Sequence, residues 1–422
     1  MKIFHTSDWH LGHVLYNYER TEEQQSMLEQ ITSIVQEHKP DIFLIAGDIY
    51  HTPQPSSSTQ TLFANAIMRL HNLNPDMQII ITAGNHDSAI KHEIFRQPWQ
   101  ALNVHTIGSI DRNNYFQHII EVENKGFVVA IPYSYERNIP ENFYQTLLDE
   151  VAKRNTNNLP VILSAHTTVY GSDFSGHERA NEKVVGGIEA LKLEAIGKGY
   201  DYLALGHIHK PQFIDNSEKK VRYCGTPLPI SFDENYSHSI TFVDIEKHNE
   251  IPKITTIEIE NPRPLVTLPS EGFAKWEKVK ELLANFPPSN PAYIRLNLEI
   301  EDILPPEVNL EIPILIKDKE CKVCYINTKR KSYKRIITST RTYSIKFIFN
   351  TLITLFTLTN SFFPSIFFCF ISKLFTFDFY FYIVYIFHFP LLLQHSILYL
   401  IFLSLSIKKV LRLSNLKYFY LV

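Results

Sequence analysis

Apolar and polar positions along the first 260 residues fall into blocks that read as strand, helix, strand. "KIFHTSD" opens with a strand, and "EEQQSMLEQITSIVQEH" spaces its apolar residues three and four apart, as an amphipathic helix does. "DIFLIAGD" is a wholly apolar run of strand length, "STQTLFANAIMRLH" is helical again, and "MQIIITAGNHD" is a third strand. "GFVVAIPY", "LPVILSAHTT", "DYLALGHIH", "VRYCGTPL" and "SITFVDIE" follow with fewer helices between them and predict a second sheet. The expected class is α/β, with two packed sheets and helices outside. From Asn261 the Pro-rich "NPRPLVTLPS" predicts a linker, after which a helix at "FAKWEKVKELLANF" and a strand at "AYIRLNLEI" predict a small α+β unit. The expected limits are 1–262, 263–325 and a remainder, 326–422.

The strand ends carry the chemistry. "SDWH" puts Asp8 and His10 after the first strand, "GDIYH" puts Asp48 and His51 after the second, and "GNHD" puts Asn85, His86 and Asp87 after the third. "SAHTT" adds His166 and "GHIH" adds His207 and His209. Singly, each has a plain structural reading: a polar turn, or an N-cap with Asp87 or Ser88 opening the next helix. Together they do not, because the carboxyl ends of strands in an open α/β sheet face one crevice. Residues i and i+2 of an extended segment share a face, so Asp8 with His10, and His207 with His209, can reach the same place. Glycines 47, 84 and 206 are expected to let the backbone turn sharply before each of these groups.

Two carboxylates, an amide oxygen and four imidazoles are too many donors for one ion, and they suit a pair of ions if one carboxylate bridges them. Asp48, alone after a wholly apolar strand, is the natural bridge. Imidazole-rich sites favour transition metals or zinc over magnesium, so two divalent ions are expected, with manganese, iron or zinc the candidates. His86 need not bind an ion. Asp87 beside it is expected to orient its ring and leave a proton donor aimed at the substrate.

The ordered set D-x-H, GD-x-x-H, GNHD, a lone His and G-H-x-H resembles the calcineurin-like metallophosphoesterases. "HTSDWHLG", "GDIYHTPQPSSSTQTLFANAIMRL", "VGGIEALKLEAIGKGYDYLALGHIHKPQ" and "VRYCGTPLPISFDE" resemble, within that family, the nuclease subunits of bacterial DNA-repair complexes, from Met1 to about Cys324. The resemblance implies a two-sheet sandwich flanked by helices and hydrolysis of DNA at ends and hairpins. It implies that Asp8, His10, Asp48 and His209 hold one ion and that Asp48, Asn85, His166 and His207 hold the other. His86 would then assist at the phosphate and His51 would lie beside the DNA backbone, where many relatives carry an acid instead. A homodimer, a DNA-capping unit at about residues 263 to 325 and an SMC-like ATPase partner are implied as well.

Charge complicates the DNA reading. The net charge of −3 hides a split, since residues 326–422 hold Asp378 alone against twelve Lys and Arg, leaving about −14 on the first 325 residues. Such a body cannot draw nucleic acid by bulk attraction, so DNA must be met by a local basic patch, bound cations or a partner. Four cysteines and no apolar stretch behind a basic start predict a reducing cytoplasm and no signal peptide. The C-x-x-C pair Cys321 and Cys324 lacks the second pair a zinc site needs and reads as a core or surface pair.

Beyond residue 326 the alphabet changes, with no Gly, Ala, Glu, Met or Trp. The stretches between Lys346 and Lys373 and between Asp378 and Lys408 carry no formal charge and are long enough to span a bilayer. This anomalous apolar tail reads as a membrane hairpin or as an A/T-rich region translated out of frame, and the abrupt change favours the second. The basic run "KRKSYKR" at this boundary reads as a solvated or artefactual segment rather than a DNA or lipid contact. Three functions therefore stand: a two-metal DNA nuclease, a phosphatase or nucleotide phosphodiesterase on the same site, and a membrane-tethered metal-binding head without catalysis. The unit after Pro264 favours the first, and an intact His86 argues against the third.

Overall fold

Strand Ile42–Ala46 is buried at every position, which requires cover on both of its faces. That cover comes from helices on one side and a second sheet on the other. The structure, a computed structural model, describes residues 1–175, 190–214 and 219–331. The tail readings from residue 332 onward and the "VGGIE" part of the nuclease-like text lie outside those residues. Among the described residues no helix is long and apolar enough to cross a membrane.

In chain order the main elements are β1 (Lys2–Thr6), β2 (Val14–Leu15), β3 (Tyr18–Glu19), α1 (Thr21–His38), β4 (Ile42–Ala46), α2 (Ser57–Leu73), β5 (Gln78–Thr82), α3 (Ala89–Gln100) and β6 (Val104–Ile107). They continue with β7 (Ile119–Val122), β8 (Gly126–Ile131), α4 (Phe143–Arg154), β9 (Val161–His166), β10 (Tyr202–Gly206), β11 (Gln212–Phe213) and β12 (Val221–Tyr223). Last come β13 (Ser239–Asp244), β14 (Lys253–Glu258), β15 (Leu265–Leu268), β16 (Tyr293–Ile300) and β17 (Lys322–Arg330), with helices Trp276–Ala284 and Pro306–Leu315 among them.

One six-stranded sheet runs β14-β13-β1-β4-β5-β6 and the other β11-β12-β10-β9-β8-β7. Alternation along each strand divides its side chains between two cores. Ile3, Ile42, Leu44 and Ile80 meet Val128, Ile162, Tyr202 and Ala204 between the sheets. Phe4, Phe43, Ile45 and Ile81 face outward onto Met27, Ile31 and Val35 of α1 and Phe63, Ile67 and Leu70 of α2. On the far side, Val129, Leu163 and Leu203 pack on Leu147, Leu148 and Val151 of α4. Ser56 caps α2 by accepting the Thr59 amide at 3.2 Å, and α1 ends on Lys39 in the left-handed conformation. The first fixes where α2 begins and the second where α1 ends before β4.

Three expectations change. "SITFVDIE" belongs to the first sheet, where β13 runs antiparallel to β1 in the register Ile3↔Val243 and His5↔Thr241. An unpaired edge on β1 has to be covered, and strand pairing chooses its partner by edge availability rather than by chain order. The Pro-rich linker contains a strand, since Leu265–Leu268 pairs in parallel with Tyr293–Leu296. The boundary at 325 cuts an element, because β17 continues to Arg330 and pairs Leu296↔Ile326 through Ile300↔Arg330. Met1–Lys331 accordingly forms one compact unit. Within it, the small α+β part, the proposed cap, buries Val279, Leu283, Ile294, Leu296 and Val308 around the three-stranded sheet. Cys321 is buried in that core and Cys324 packs near Leu15 and Tyr18, and the described cysteines 224, 321 and 324 are free.

A chain ended after Lys331 keeps all of β17, whereas one ended after Tyr325 loses five of its pairs with β16. At about 0.5–1.5 kcal/mol for each lost hydrogen bond, the shorter form should lose amide-exchange protection at Leu296–Ile300 and melt at a lower temperature. Equal protection in the two forms would show that the last five residues of β17 add nothing to the cap.

Candidate metal centre

Strands β1, β4 and β5 from one sheet and β9 and β10 from the other end at the same place. Their loops are stitched by backbone bonds: Asp8 donates its amide to Gly47 O at 2.9 Å, His10 to Asp48 O at 3.1 Å, and Leu11 to Ile49 O at 2.8 Å. The second sheet joins through the His207 amide, which donates to both carboxylate oxygens of Asp8, at 3.2 and 3.1 Å. Asp8, His10, Asp48 and His207 all sit at positive φ (53°, 45°, 51° and 97°). Such strain is found where surrounding contacts over-determine the backbone, commonly at functional sites.

The side chains form two carboxylate-bearing groups of donors, Asp8 with His10 and His209, and Asp48 with His166 and His207, beside a third made of imidazoles alone, His10, His51 and His86. His10 Nε2 faces His209 Nε2 at 3.1 Å. Asn85 Oδ1 lies 2.9 Å from His207 Nδ1 and 3.1 Å from His166 Nε2. Neighbouring ligands of one ion with bonds of roughly 2.1 Å stand about 3 Å apart, so these spacings suit one ion in each carboxylate-bearing group. Asp48 Oδ2 stands between those two groups, 3.9 Å from His10 Nε2 and 3.5 Å from His166 Nε2. Its other oxygen accepts the His86 amide at 2.8 Å.

Electrostatics follow from burial. Burial pushes the Asp8 carboxyl up and the His10 imidazole down, and it lowers His207, with a contribution from His166, to about 3. Asp48 is the exception. Burial alone would raise it, but His166 first and His10 after it hold it well below the usual carboxylate range. Burial disfavours a proton on His166, yet Asp48 and Asp8 outweigh it and lift that imidazole to about 9. A proton and a divalent cation thus compete for the same atoms.

Ring orientation is set from behind. His166 Nδ1 donates to the Ala46 carbonyl at 2.7 Å, leaving Nε2 to face Asp48 and Asn85. His86 Nδ1 donates to the His51 carbonyl at 2.8 Å, leaving its Nε2 as the outward atom. Asp87 does not orient that ring. Its carboxylate accepts the amides of Gly84 (2.9 Å), Ile49 (3.2 Å) and Tyr50 (3.0 Å) and so clamps the two strand-end loops together. Its position next to His86 misled because the His86 ring is held instead by the His51 carbonyl, while the Asp87 carboxylate is taken up by backbone amides. His51 stacks on His86 with centroids 5.5 Å apart and meets His10 edge-on at 5.4 Å.

The glycines also act differently from the expectation. Only Gly47 of the three has a positive φ, of 89°. A Cβ at Gly84 would overlap Asp48 Oδ1, and one at Gly206 would overlap the Ala46 carbonyl. These two positions are kept open for close approach rather than for turning. Glu234 escaped the sequence reading altogether. Its Oε1 lies 3.6 Å from His209 Nδ1 and supports that ring from a buried position. No strand end or spacing marks it, since an acid in the loop text "SFDE" looks like any solvated turn. Ser7 was missed as well: its hydroxyl donates to Asp8 Oδ2 at 2.5 Å and touches Cys224 Sγ at 3.0 Å.

Residues 1–211 match the model of the calcineurin-like phosphoesterases. The chain belongs to that family. It is 31% identical to the SbcD subunit of nuclease SbcCD from Staphylococcus epidermidis, over 63% of this chain and 71% of the relative. The SbcD subunit of Rhodobacter capsulatus is 29% identical, covering 65% of this chain and 73% of the relative. That of Escherichia coli K12 is 25% identical, covering 80% and 88%. Within the phosphoesterases, divalent ions are the cofactor to which this donor set corresponds.

Replacing Asp48 by Ala should take a donor from both groups, whereas Asp8→Ala should take one from a single group. Manganese counted per chain after equilibrium dialysis should fall well below two for Asp48→Ala and towards one for Asp8→Ala. Two full equivalents on the Asp48 variant would exclude its carboxylate as the shared donor.

Proposed function

We infer that the protein is a two-metal DNA nuclease, cutting at ends and hairpins as the catalytic subunit of an SbcCD-type complex. The observation that carries this reading is the position of Asp48 Oδ2 between two imidazole-rich donor groups, in a chain similar along most of its length to the SbcD subunits of SbcCD nucleases. Asp8, His10, Asp48 and His209 would hold one divalent ion, and Asp48, Asn85, His166 and His207 the other, with manganese the expected metal. When bound, such a pair supplies Lewis acidity at the phosphate and a water-derived nucleophile at neutral pH.

The chain's own residues supply the rest. Asp8 and Asp48 are fixed by the Ser7 hydroxyl and by the His207 and His86 amides, so their free lone pairs keep one direction. His86, locked at Nδ1 by the His51 carbonyl, keeps Nε2 available to hold or give a proton at the leaving oxygen. His51 stacks on that ring and limits its tilt, and it would stand beside the DNA backbone. The three-stranded cap, seated through Tyr293 on Glu23 (2.7 Å) and Arg295 on Asp233 (2.5 Å), gives an extended substrate a second surface that a small phosphomonoester does not need. A homodimer and an SbcC-type SMC-like ATPase complete the proposed assembly, in the cytoplasm, with membrane contact only through a genuine tail.

Purified protein with manganese should cleave hairpin and duplex-end DNA and leave p-nitrophenyl phosphate nearly untouched. Fast monoester hydrolysis with intact DNA would favour the phosphatase reading instead.

His86→Gln should retain both manganese equivalents and lower DNA cleavage by about 10²- to 10⁴-fold, the usual range for a positioned acid or base. Parallel loss of metal and activity would make His86 a ligand rather than a proton carrier.

A further inference from the structure

Beside the metal centre, the chain leaving β8 carries two tyrosines and an arginine in the text "IPYSYER" that the catalytic reading does not use. The segment is tied to the site by the Tyr133 amide, which donates to the Ala83 carbonyl at 2.8 Å, two residues before Asn85. Tyr133 places its ring 6.1 Å from His207 and 6.2 Å from His166, centroid to centroid. Tyr135, two residues on along an extended backbone, projects from the same side. Its ring lies 5.6 Å from Tyr133, and the residue as a whole is 54% exposed. The Arg137 guanidinium stands 5.2 Å over the Tyr135 ring. The result is a strip of π-faces running from two of the candidate ligands out towards solvent, ending in an exposed cation over the outer ring.

A core role does not account for the strip. Tyr135 is an exposed residue, and the short helical turn Glu136–Asn138 that follows buries none of its residues. Charge also argues for a contact of this kind. With about −14 on the first 325 residues, attraction to phosphate is weak apart from bound cations and local basic groups, whereas stacking on the neutral face of a base is indifferent to net charge. Aromatic rings flanked by Arg are the usual means of holding an unstacked base without reading its identity.

We propose that Tyr133, Tyr135 and Arg137 form a stacking subsite for an unpaired nucleobase, so that the preferred substrate presents an unpaired nucleotide next to the phosphate at the donor groups. The inference rests on the DNA-nuclease reading and narrows its substrate to hairpin loops, overhangs and frayed ends. Because stacking ignores base identity, the subsite selects for unpaired structure and not for sequence.

The test compares a hairpin with the same hairpin made abasic at the loop nucleotides. Binding is read by fluorescence anisotropy with calcium in place of manganese, and KM and kcat by cleavage with manganese. Wild-type protein should bind the abasic hairpin about 5- to 100-fold more weakly, with the change in KM rather than kcat. Tyr135→Ala should bind both forms equally weakly, Tyr135→Phe should behave as wild type, and Tyr135→Trp should tighten only the base-bearing form. Manganese count and melting temperature report whether Tyr135→Ala is folded; if it is not, the Trp variant decides. Wild type that does not distinguish the two hairpins, or a folded Tyr135→Ala that still does, overturns the subsite while leaving the nuclease reading in place. Failure of every form to bind or cut DNA defeats the nuclease reading itself, and the subsite with it.

Discussion

The arrangement depends on one buried carboxylate. Asp48 is 2% exposed, and an uncompensated charge at such depth costs several kcal/mol. Compensation comes from all sides: imidazoles of His10 and His166 against one oxygen and the His86 amide on the other. Its neighbours are shaped around it. Gly84 has no Cβ because that space belongs to the Asp48 carboxylate, and Asp48 itself takes a strained left-handed backbone so that its carbonyl can accept the His10 amide. A group so placed calls for positive charge, and the same geometry that tolerates a proton on His166 accommodates a cation.

Precision at this centre comes from linking loops that belong to different sheets. Asp87 ties the β4 and β5 loops through three backbone amides, and the His207 amide on Asp8 ties one sheet to the other. The candidate donors therefore sit at the ends of strands whose last four residues are all buried, and the turns between them are tied by these bonds. The cap joins the same scheme: Arg295 of β16 grips Asp233, the residue before the Glu234 that backs His209. Positions in the cap are thus two residues away from a candidate metal ligand in space, although more than eighty residues away in sequence.

The acidic body and the nature of the centre together constrain how a polyanion could be held. Most of the acids are dispersed over the surface, while the charges that matter are buried and neutralised locally. On the proposed reading, bound ions and stacking on the Tyr133 and Tyr135 rings would supply contacts that net charge does not oppose.

Local pattern was enough to read β1, α1, β4, α2 and β5 in order, the runs of β8, β9, β10, β12 and β13, and the convergence of Asp8, His10, Asp48, Asn85, His166, His207 and His209 on one edge, because period-two and period-3.6 alternation and strand-end placement are properties of consecutive residues; α3, β6, β7 and α4 were not read from it. Pairing and orientation were not readable in that way. Whether β13 joins β1 or the second sheet depends on which edge is open. Whether Leu265–Leu268 is linker or strand depends on β16, nearly thirty residues on, and the skewed alphabet after Tyr325 hid five residues that β16 recruits. The same holds within the site. Asp87 clamps loops instead of orienting His86, and Glu234 stands behind His209. The direction of a side chain on a strained turn, and the group that backs it, are fixed by contacts between distant segments, and these exist only once the two sheets have packed.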